Sequence, residues 1–336
     1  MKIIVPMAGM GKRMRPHTLT VPKPLIPVAG KPIVQKIIED LKDVCGEGIE
    51  EVAYIIHPSF GKAAEERLIE VAAKLGAKGS IHYQTEALGT AHAIMCAKEA
   101  LDGNVLIVFA DTLFKAGFKL DRSKDGIIWV QQIEDPSQFG VVKLDASGVI
   151  TDFVEKPTTF VSNLAIIGIY YFADGANLRN ELQYLLDNNV KEKGEYQLTN
   201  ALENMKAKGL KFETGKVEEW LDCGNKNSTV YTNSRVLQHM HDDGLKMVDE
   251  SANIINSQII QPSLIGKNVT IKNAVVGPYA SIGEGCVIER SVVENSIIQN
   301  NTKIKNAVIN NAILGSHVEY QGEQKDLSIG DYTTVI

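Results

Sequence analysis

Between residues 265 and 314 the chain sets a single aliphatic every five or six residues: Ile265, Ile271, Val276, Ile282, Ile288, Val293, Ile298, Ile304, Ile309 and Leu314. Gly266, Gly277, Gly283 and Gly315 each follow one of these aliphatics, and Asn and Ser recur between them. An amphipathic helix repeats its apolar face about every 3.6 residues, and sandwich strands alternate with a period of about two and turn every 8 to 12 or so. Neither pattern holds. A period of five or six suits a coil with flat sides, in which each repeat supplies one side and points its aliphatic into a narrow core. The last part of the chain, from residue 253, is therefore expected to be a β-solenoid.

The spacing resembles that of left-handed β-helices built from hexapeptide repeats. From residue 319 the repeat is lost, and the remaining residues are expected to cap the coil. A prism with flat sides stacks readily on copies of itself, so a homo-oligomer assembled through the β-helix is expected.

Ahead of residue 250 the texture is different. Short apolar runs at 3–5, 52–56, 105–110, 126–131 and 166–172 alternate with helical stretches near 34–44, 63–75, 178–186 and 198–208. Such alternation predicts a mostly parallel sheet covered by helices, a Rossmann-like α/β domain that binds ligands outside the carboxyl ends of its strands. The predicted organisation is an α/β domain over 1–240, a linker over 241–252 reached through a helix near 230–245, and the left-handed parallel β-helix over 253–336.

A net charge of −6 gives no basic field for a nucleic acid, and no nucleic-acid partner is expected. No run approaches the roughly 20 apolar residues of a membrane span, and the N-terminus breaks at Pro6 before an apolar signal core can form. Cys45, Cys96, Cys223 and Cys286 are scattered without metal-like pairing, as reduced packing residues would be. Together these features predict a cytoplasmic protein.

The first apolar run leads straight into Pro6-Met7-Ala8-Gly9-Met10-Gly11-Lys12-Arg13-Met14-Arg15-Pro16. Glycines at such a strand end let successive backbone N–H groups converge on an anion, and Lys12, Arg13 and Arg15 add charge. The dinucleotide pattern GxGxxG fails at Met14, and the P-loop pattern is absent. The continuation does carry a longer signal: Pro16 and Thr18, then Pro22-Lys23-Pro24-Leu25, then Pro27-Val28.

Taken together, this stretch resembles the GxGxRxxPxTxxxPKPxxPV signature of the sugar-nucleotide pyrophosphorylases, the sugar-1-phosphate nucleotidyltransferases. The one departure is Lys12, where those proteins usually carry Thr. The resemblance implies that Ala8, Gly9, Met10, Gly11 and Lys12 hold the nucleotide and that Arg13 and Lys23 are catalytic. The segment Gln84-Thr85-Glu86-Ala87-Leu88-Gly89-Thr90-Ala91-His92 is similar to the base-reading segment of the uridylyl enzymes, which implies nucleotide contacts from Gln84, Gly89 and Thr90. A glutamine amide can donate and accept at once, as the imide edge of uracil or thymine requires.

By the same resemblance, Asp111 at the end of an apolar run and Asp222 in Trp220-Leu221-Asp222 hold Mg²⁺, a cation that takes hard oxygen ligands. Ala110 stands before the first acid, where glycine is more usual. Phe139-Gly140-Val141-Val142, Val154-Glu155-Lys156-Pro157 and Ser162-Asn163 through Tyr170 look like the sugar half of the site. The implied roles are sugar hydroxyls at Gly140 and Glu155, the sugar phosphate at Lys156, and the pocket wall at Asn163, Ile166 and Tyr170.

The expected reaction is an in-line attack of a sugar 1-phosphate on the α-phosphorus of a nucleoside triphosphate, releasing pyrophosphate. The base segment favours dTTP or UTP, with glucose 1-phosphate as partner, and mannose-1-phosphate guanylyl transfer is the alternative. Two further alternatives are an acyltransferase site in the β-helix, for which His317 is the only histidine among the repeats, and a regulatory subunit without chemistry.

Overall fold

The computed structural model describes residues 1–336 apart from 47, 324–327, 331–332 and 335–336. It divides into two compact units, Met1–Ile26 with Pro32–Gly224, and Pro27–Lys31 with Asn225–Ile336. No helix among the described residues is long and apolar enough to cross a membrane.

In the first unit the strands are β1 (Lys2–Pro6), β2 (Glu51–Ile56), β3 (Lys78–Tyr83), β4 (Val105–Val108), β5 (Thr112–Lys115) and β6 (Gly126–Gln132). They continue as β7 (Gly140–Leu144), β8 (Ile150–Glu155), β9 (Leu164–Phe172), β10 (Phe212–Gly215) and β11 (Glu219–Asp222). Nine of them form one sheet with the path β8-β7-β9-β4-β1-β2-β3, and β6 and β10 extend from β9. The half containing β4, β1, β2 and β3 is parallel, and β9 runs antiparallel to β4, β6 and β7. Buried runs such as Ile3-Ile4-Val5 and Val105-Leu106-Ile107-Val108 mark strands covered on both faces.

The helices are α1 (Ile33–Cys45), α2 (Lys62–Lys74), α3 (Thr90–Met95), α4 (Gly175–Asp187) and α5 (Leu198–Ala207); α1, α2, α4 and α5 follow the predicted stretches, whereas the short α3 was not among them. In α1 the buried positions Ile33, Val34, Ile37, Ile38, Leu41, Val44 and Cys45 keep the three- and four-residue spacing of one helix face. The hairpin β7–β8 and the separate two-stranded ladder of β5 with β11 were not anticipated. The first carries a legible turn signal, Asp145-Ala146-Ser147-Gly148, in which Asp145 Oδ1 accepts from Ser147 N at 2.8 Å.

The second unit opens with α6 (Lys226–Asp242), whose first turn is closed by a capping box: Asn225 Oδ1 accepts from Ser228 N at 3.0 Å, and Ser228 Oγ accepts from Asn225 N at 3.1 Å. Buried Asn233 on this helix ties in the distant segment Pro27–Lys31 by accepting from Ala29 N at 2.9 Å. Beyond the helix lie three parallel sheets of five, four and four strands. Ile254, Ile271, Ile288, Ile304 and Tyr320 stand in one register column, so successive coils take 17 or 16 residues.

Nine of the ten predicted aliphatics are buried, and Leu314 packs against their cluster. The arrangement is consistent with the expected left-handed β-helix. Its corners explain the asparagines: Asn256, Asn268, Asn273, Asn295, Asn301, Asn306 and Asn311 all have positive φ, a conformation Asn adopts more cheaply than most residues. His317 takes such a corner too, at φ 59°. Glu319–Gln321, expected to begin the cap, adds a fifth strand to one sheet. Most of the remaining expected cap, residues 324–327, 331–332 and 335–336, lies outside the described residues.

Candidate active site

β1 delivers the glycine loop to the carboxyl edge of the parallel strands. Gly11 sits at φ 57°, and a Cβ there would meet Thr18 Cγ2 at 2.9 Å and Lys23 Cβ at 3.0 Å. Thr18 Oγ1 donates to Gly11 O at 2.9 Å and holds the turn. Gly9 has ordinary φ and open space around it, so its lack of a side chain leaves room for something outside the protein. Lys12 and Arg13 are exposed beside it.

Lys23 is buried to 9% exposure, and its Nζ donates to Asp111 Oδ2 at 2.9 Å. The second carboxylate arrives through the β5–β11 ladder, where Asp222 pairs with Thr112 and Cys223 N donates to Asp111 O at 3.0 Å. Two acids remote in sequence thus meet at one end of this ladder, Asp111 just before β5 and Asp222 as the last residue of β11. A Cβ on Gly224 would lie 2.9 Å from Asp222 Oδ1 and 3.3 Å from Arg13 Nη2, so the carboxylate and the guanidinium converge over that glycine.

Arg13, Lys23 and Asp111 line a cavity of about 430 Å³ together with Ala8, Gly9, Gly11, Lys12, Gln84, Gly89 and Thr90; Asp222 is not among its lining residues, although nearby Gly224 is. Met10 stands outside that wall, 45% exposed, with its sulfur 4.0 Å from Ser59 Oγ. Gly89 has φ 110°, and a Cβ on it would strike Tyr196 O at 2.4 Å. Thr90 spends its hydroxyl on the fold, accepting from Leu198 N at 2.9 Å at the start of α5. Gln84 Nε2 reaches Gly89 O at 3.3 Å and His92 Nδ1 at 3.1 Å, so its amide donors are engaged within the protein. Burial pushes the His92 imidazole below its ordinary value of 6.5, against the opposing charge of Glu86.

A second group of predicted residues gathers on β7, β8 and β9. Glu155 pairs with Gly140 across the β7–β8 hairpin, and a Cβ on Gly140 would lie 3.1 Å from Glu155 Oε2 and 3.2 Å from Ile166 Cδ1. Thr199 Oγ1 lies 3.4 Å from Glu155 Oε2, and Lys156 Nζ stands 3.7 Å from Oε1. Burial raises the Glu155 carboxyl above its ordinary value, with Lys156 pulling the other way. Tyr170 is buried and its phenol is pushed upward by burial. Asn163 lies just before β9, where its carbonyl accepts from Ile133 N at 3.0 Å. Phe109, which lines the cavity, meets the Tyr170 ring edge-on at 6.1 Å and so links the two groups.

Among the described residues no three acids, histidines or cysteines gather as a metal cage. Asp111 and Asp222 are two carboxylates brought close by the β5–β11 ladder, and carboxylate oxygens are the hard donors a divalent cation takes together with substrate phosphates.

Residues 2–239 match the family described as nucleotidyl transferase. The chain belongs to that family. Glucose-1-phosphate thymidylyltransferase of Streptomyces antibioticus is 29% identical over 312 residues, covering 87% of this chain and 85% of that protein. Mannose-1-phosphate guanylyltransferase catalytic subunit beta of Drosophila pseudoobscura pseudoobscura is 30% identical over 297 residues, covering 85% and 72%. A solved UDP-glucose pyrophosphorylase complexed with UDP-glucose shares the fold, with a TM-score of 0.59 at 22% identity over 71% of this chain and 98% of that one.

Within this nucleotidyl transferase, nine cavity-lining residues escaped the sequence-based site, and two of them are instructive. Phe109 is one, because an apolar residue at a strand end reads as core. The other is Glu195, which lines the cavity while its Oε2 accepts from Gln197 Nε2 at 3.1 Å. Only the backbone contacts of Tyr196 with Leu88 and Ala91 bring it to the cavity.

Proposed function

We propose that this nucleotidyl transferase joins dTTP or UTP to glucose 1-phosphate, forming a nucleoside diphosphate sugar and releasing pyrophosphate. The observation that carries the reading is the convergence of the glycine loop, Lys23, Arg13 and Asp111 on the cavity that Gln84 and Gly89 also line. The glycine loop and its basic neighbours suit phosphates, and the Gln84–Gly89 segment suits a base.

A sugar-phosphate oxygen forms the new bond to the α-phosphorus, and the bond to the β-bridging oxygen breaks with its electrons leaving on pyrophosphate. Arg13 and Lys23 would neutralise the charge that builds on the α-phosphate and the leaving group, and their fixed positions make that stabilisation effective. Asp111 and Asp222 would hold Mg²⁺, which supplies further neutralisation of phosphate charge when bound. Glu155 would accept from sugar hydroxyls while Lys156 meets the sugar phosphate, with Gly140, Asn163, Ile166 and Tyr170 around the ring.

Mannose-1-phosphate guanylyl transfer is the second reading, supported by the guanylyltransferase relative. A panel of dTTP, UTP, GTP and CTP against three sugar 1-phosphates, followed by pyrophosphate release with Mg²⁺ and with EDTA, decides between them. The expected result is turnover highest for dTTP or UTP with glucose 1-phosphate and abolished by EDTA. Preference for GTP with mannose 1-phosphate would move the assignment to the second reading, and metal-independent turnover would remove Asp111 and Asp222 from it.

The Glu155 assignment has its own pH signature. Its carboxyl titrates above 4.5 because burial disfavours the charged form, so falling pH protonates it early and removes the hydroxyl acceptor. The KM for the sugar phosphate should therefore climb on the acid side already above pH 4.5, and Glu155→Gln should flatten that limb. An unchanged limb in the variant counts against the assignment.

For the second unit the proposed role is self-association through the flat sheet faces, one of which exposes Val308 to 82%. Sedimentation of the intact chain tests it, with a monomer as the contrary result. The activity is assigned to the cytoplasm, in keeping with four cysteines that are thiols rather than disulfides.

A further inference from the structure

Gln84 enters the cavity just past the end of β3 and is 8% exposed. Its backbone N–H donates to Ile56 O at 2.9 Å, which fixes where the side chain starts. Its Nε2 lies 3.3 Å from Gly89 O and 3.1 Å from His92 Nδ1. A backbone carbonyl can only accept, so the amide end facing Gly89 must be the NH₂ group. The second hydrogen on that nitrogen is then directed at His92, whose Nδ1 must be the unprotonated ring nitrogen. Depression of the imidazole by burial acts in the same direction. Both amide donors are thereby used inside the protein, while Oε1 accepts from no group among the described residues.

On the proposed reading of Gln84 as the base contact, we infer that His92 is a positioning residue that holds Gln84 as a pure acceptor, so that the site selects nucleobases carrying a ring N–H. Uracil and thymine offer that hydrogen at N3 and guanine at N1. Cytosine and adenine present a lone pair at the corresponding nitrogen, which would face the lone pairs of Oε1. A buried polar group arranged for one partner rejects an analogue that leaves it unpaired. The inference also alters the sequence-based expectation for this residue: the amide does not read a donor and an acceptor together, because its donors are already engaged.

His92 is the part of this device that substitution can probe. With His92→Leu one of the two bonds pinning the amide is lost, and rotation by about half a turn can offer NH₂ to a base acceptor. His92→Asn keeps an acceptor oxygen near the position of Nδ1. The intact protein and both variants would be titrated calorimetrically with UTP, dTTP, GTP, CTP and ATP, and their melting temperatures recorded alongside.

The expected result is that the intact protein binds UTP, dTTP or GTP more tightly than CTP and ATP, and that His92→Leu narrows the UTP-to-CTP ratio roughly three- to tenfold, the value of one hydrogen bond. His92→Asn should keep the ratio of the intact protein. An unchanged ratio in His92→Leu overturns the inference, as does an equal narrowing in both variants, which would mark His92 as packing alone. Tighter binding of CTP or ATP by the intact protein also overturns it. Pyrophosphate release is not used, so normal nucleotide selection without transfer would sink the proposed reaction while leaving the inference standing. Binding of none of the five nucleotides would sink both.

Discussion

Lys23→Met is expected to lower turnover by roughly two to three orders of magnitude, the usual consequence of removing one preorganised charge from a phosphate site. The melting temperature should change little. Lys23 is almost fully buried, and methionine reproduces much of its hydrocarbon stem, so the packing beside Gly11 survives. The lost ion pair with Asp111 involves a carboxylate side chain that is 41% exposed, and a pair so open to water adds little to stability. The two effects therefore separate, whereas Lys23→Ala would mix a packing loss with the charge loss. Steady-state pyrophosphate release together with a melting curve reads both. Turnover within about threefold of the intact protein would remove Lys23 from the machinery, since even one ordinary hydrogen bond is worth about that much.

The β-helix was legible because its information is one-dimensional. Each aliphatic at a five- or six-residue interval becomes a rung of a column, and no distant residue decides its direction. The asparagines were visible as a composition bias and are now explained by the left-handed corners they occupy. The glycine loop was legible for a related reason: Gly11 needs a positive φ, and the residues that hold it, Thr18 and Lys23, lie within the same short stretch.

What escaped depends on pairing between remote segments. Asp111 and Asp222 could each be picked out, but nothing in their local sequence states that β5 and β11 form a ladder that makes them neighbours. Nor does the local sequence of Pro27–Lys31 show that it packs with the second unit, because its anchor is the side chain of Asn233. Gln84 is the sharper lesson. Its residue type allowed donation and acceptance, and only the positions of Gly89 O and His92 Nδ1 reveal that donation is already spent. Thr90 was picked out as a nucleotide contact; it lines the cavity, and its hydroxyl also accepts from Leu198 N at the start of α5.

Gly89 joins both halves of this argument, and Gly89→Ala is expected to damage stability and nucleotide binding together. At φ 110° a Cβ strains the backbone, which costs of the order of 1–3 kcal/mol. The same Cβ would lie 2.4 Å from Tyr196 O and 2.7 Å from Tyr196 N, both backbone atoms with little freedom to yield. Those atoms bond to Ala91 N and Leu88 O, each at 2.9 Å, so relief of the clash must stretch the junction on either side of Gly89. Overpacking of this kind adds about 1–3 kcal/mol. A combined loss of roughly 3 kcal/mol lowers the melting temperature by about 6–12 °C in a unit of this size. Nucleotide affinity should fall with it, because Gly89 O is one of the two anchors of Gln84. Gly9→Ala supplies the contrast: with nothing within 4 Å and an ordinary φ, it should leave the melting temperature unchanged and weaken only nucleotide binding. Melting temperatures of Gly89→Ala and Gly9→Ala that agree within about 1 °C would refute the close approach at Tyr196, since the strain and overpacking estimates differ far more than that.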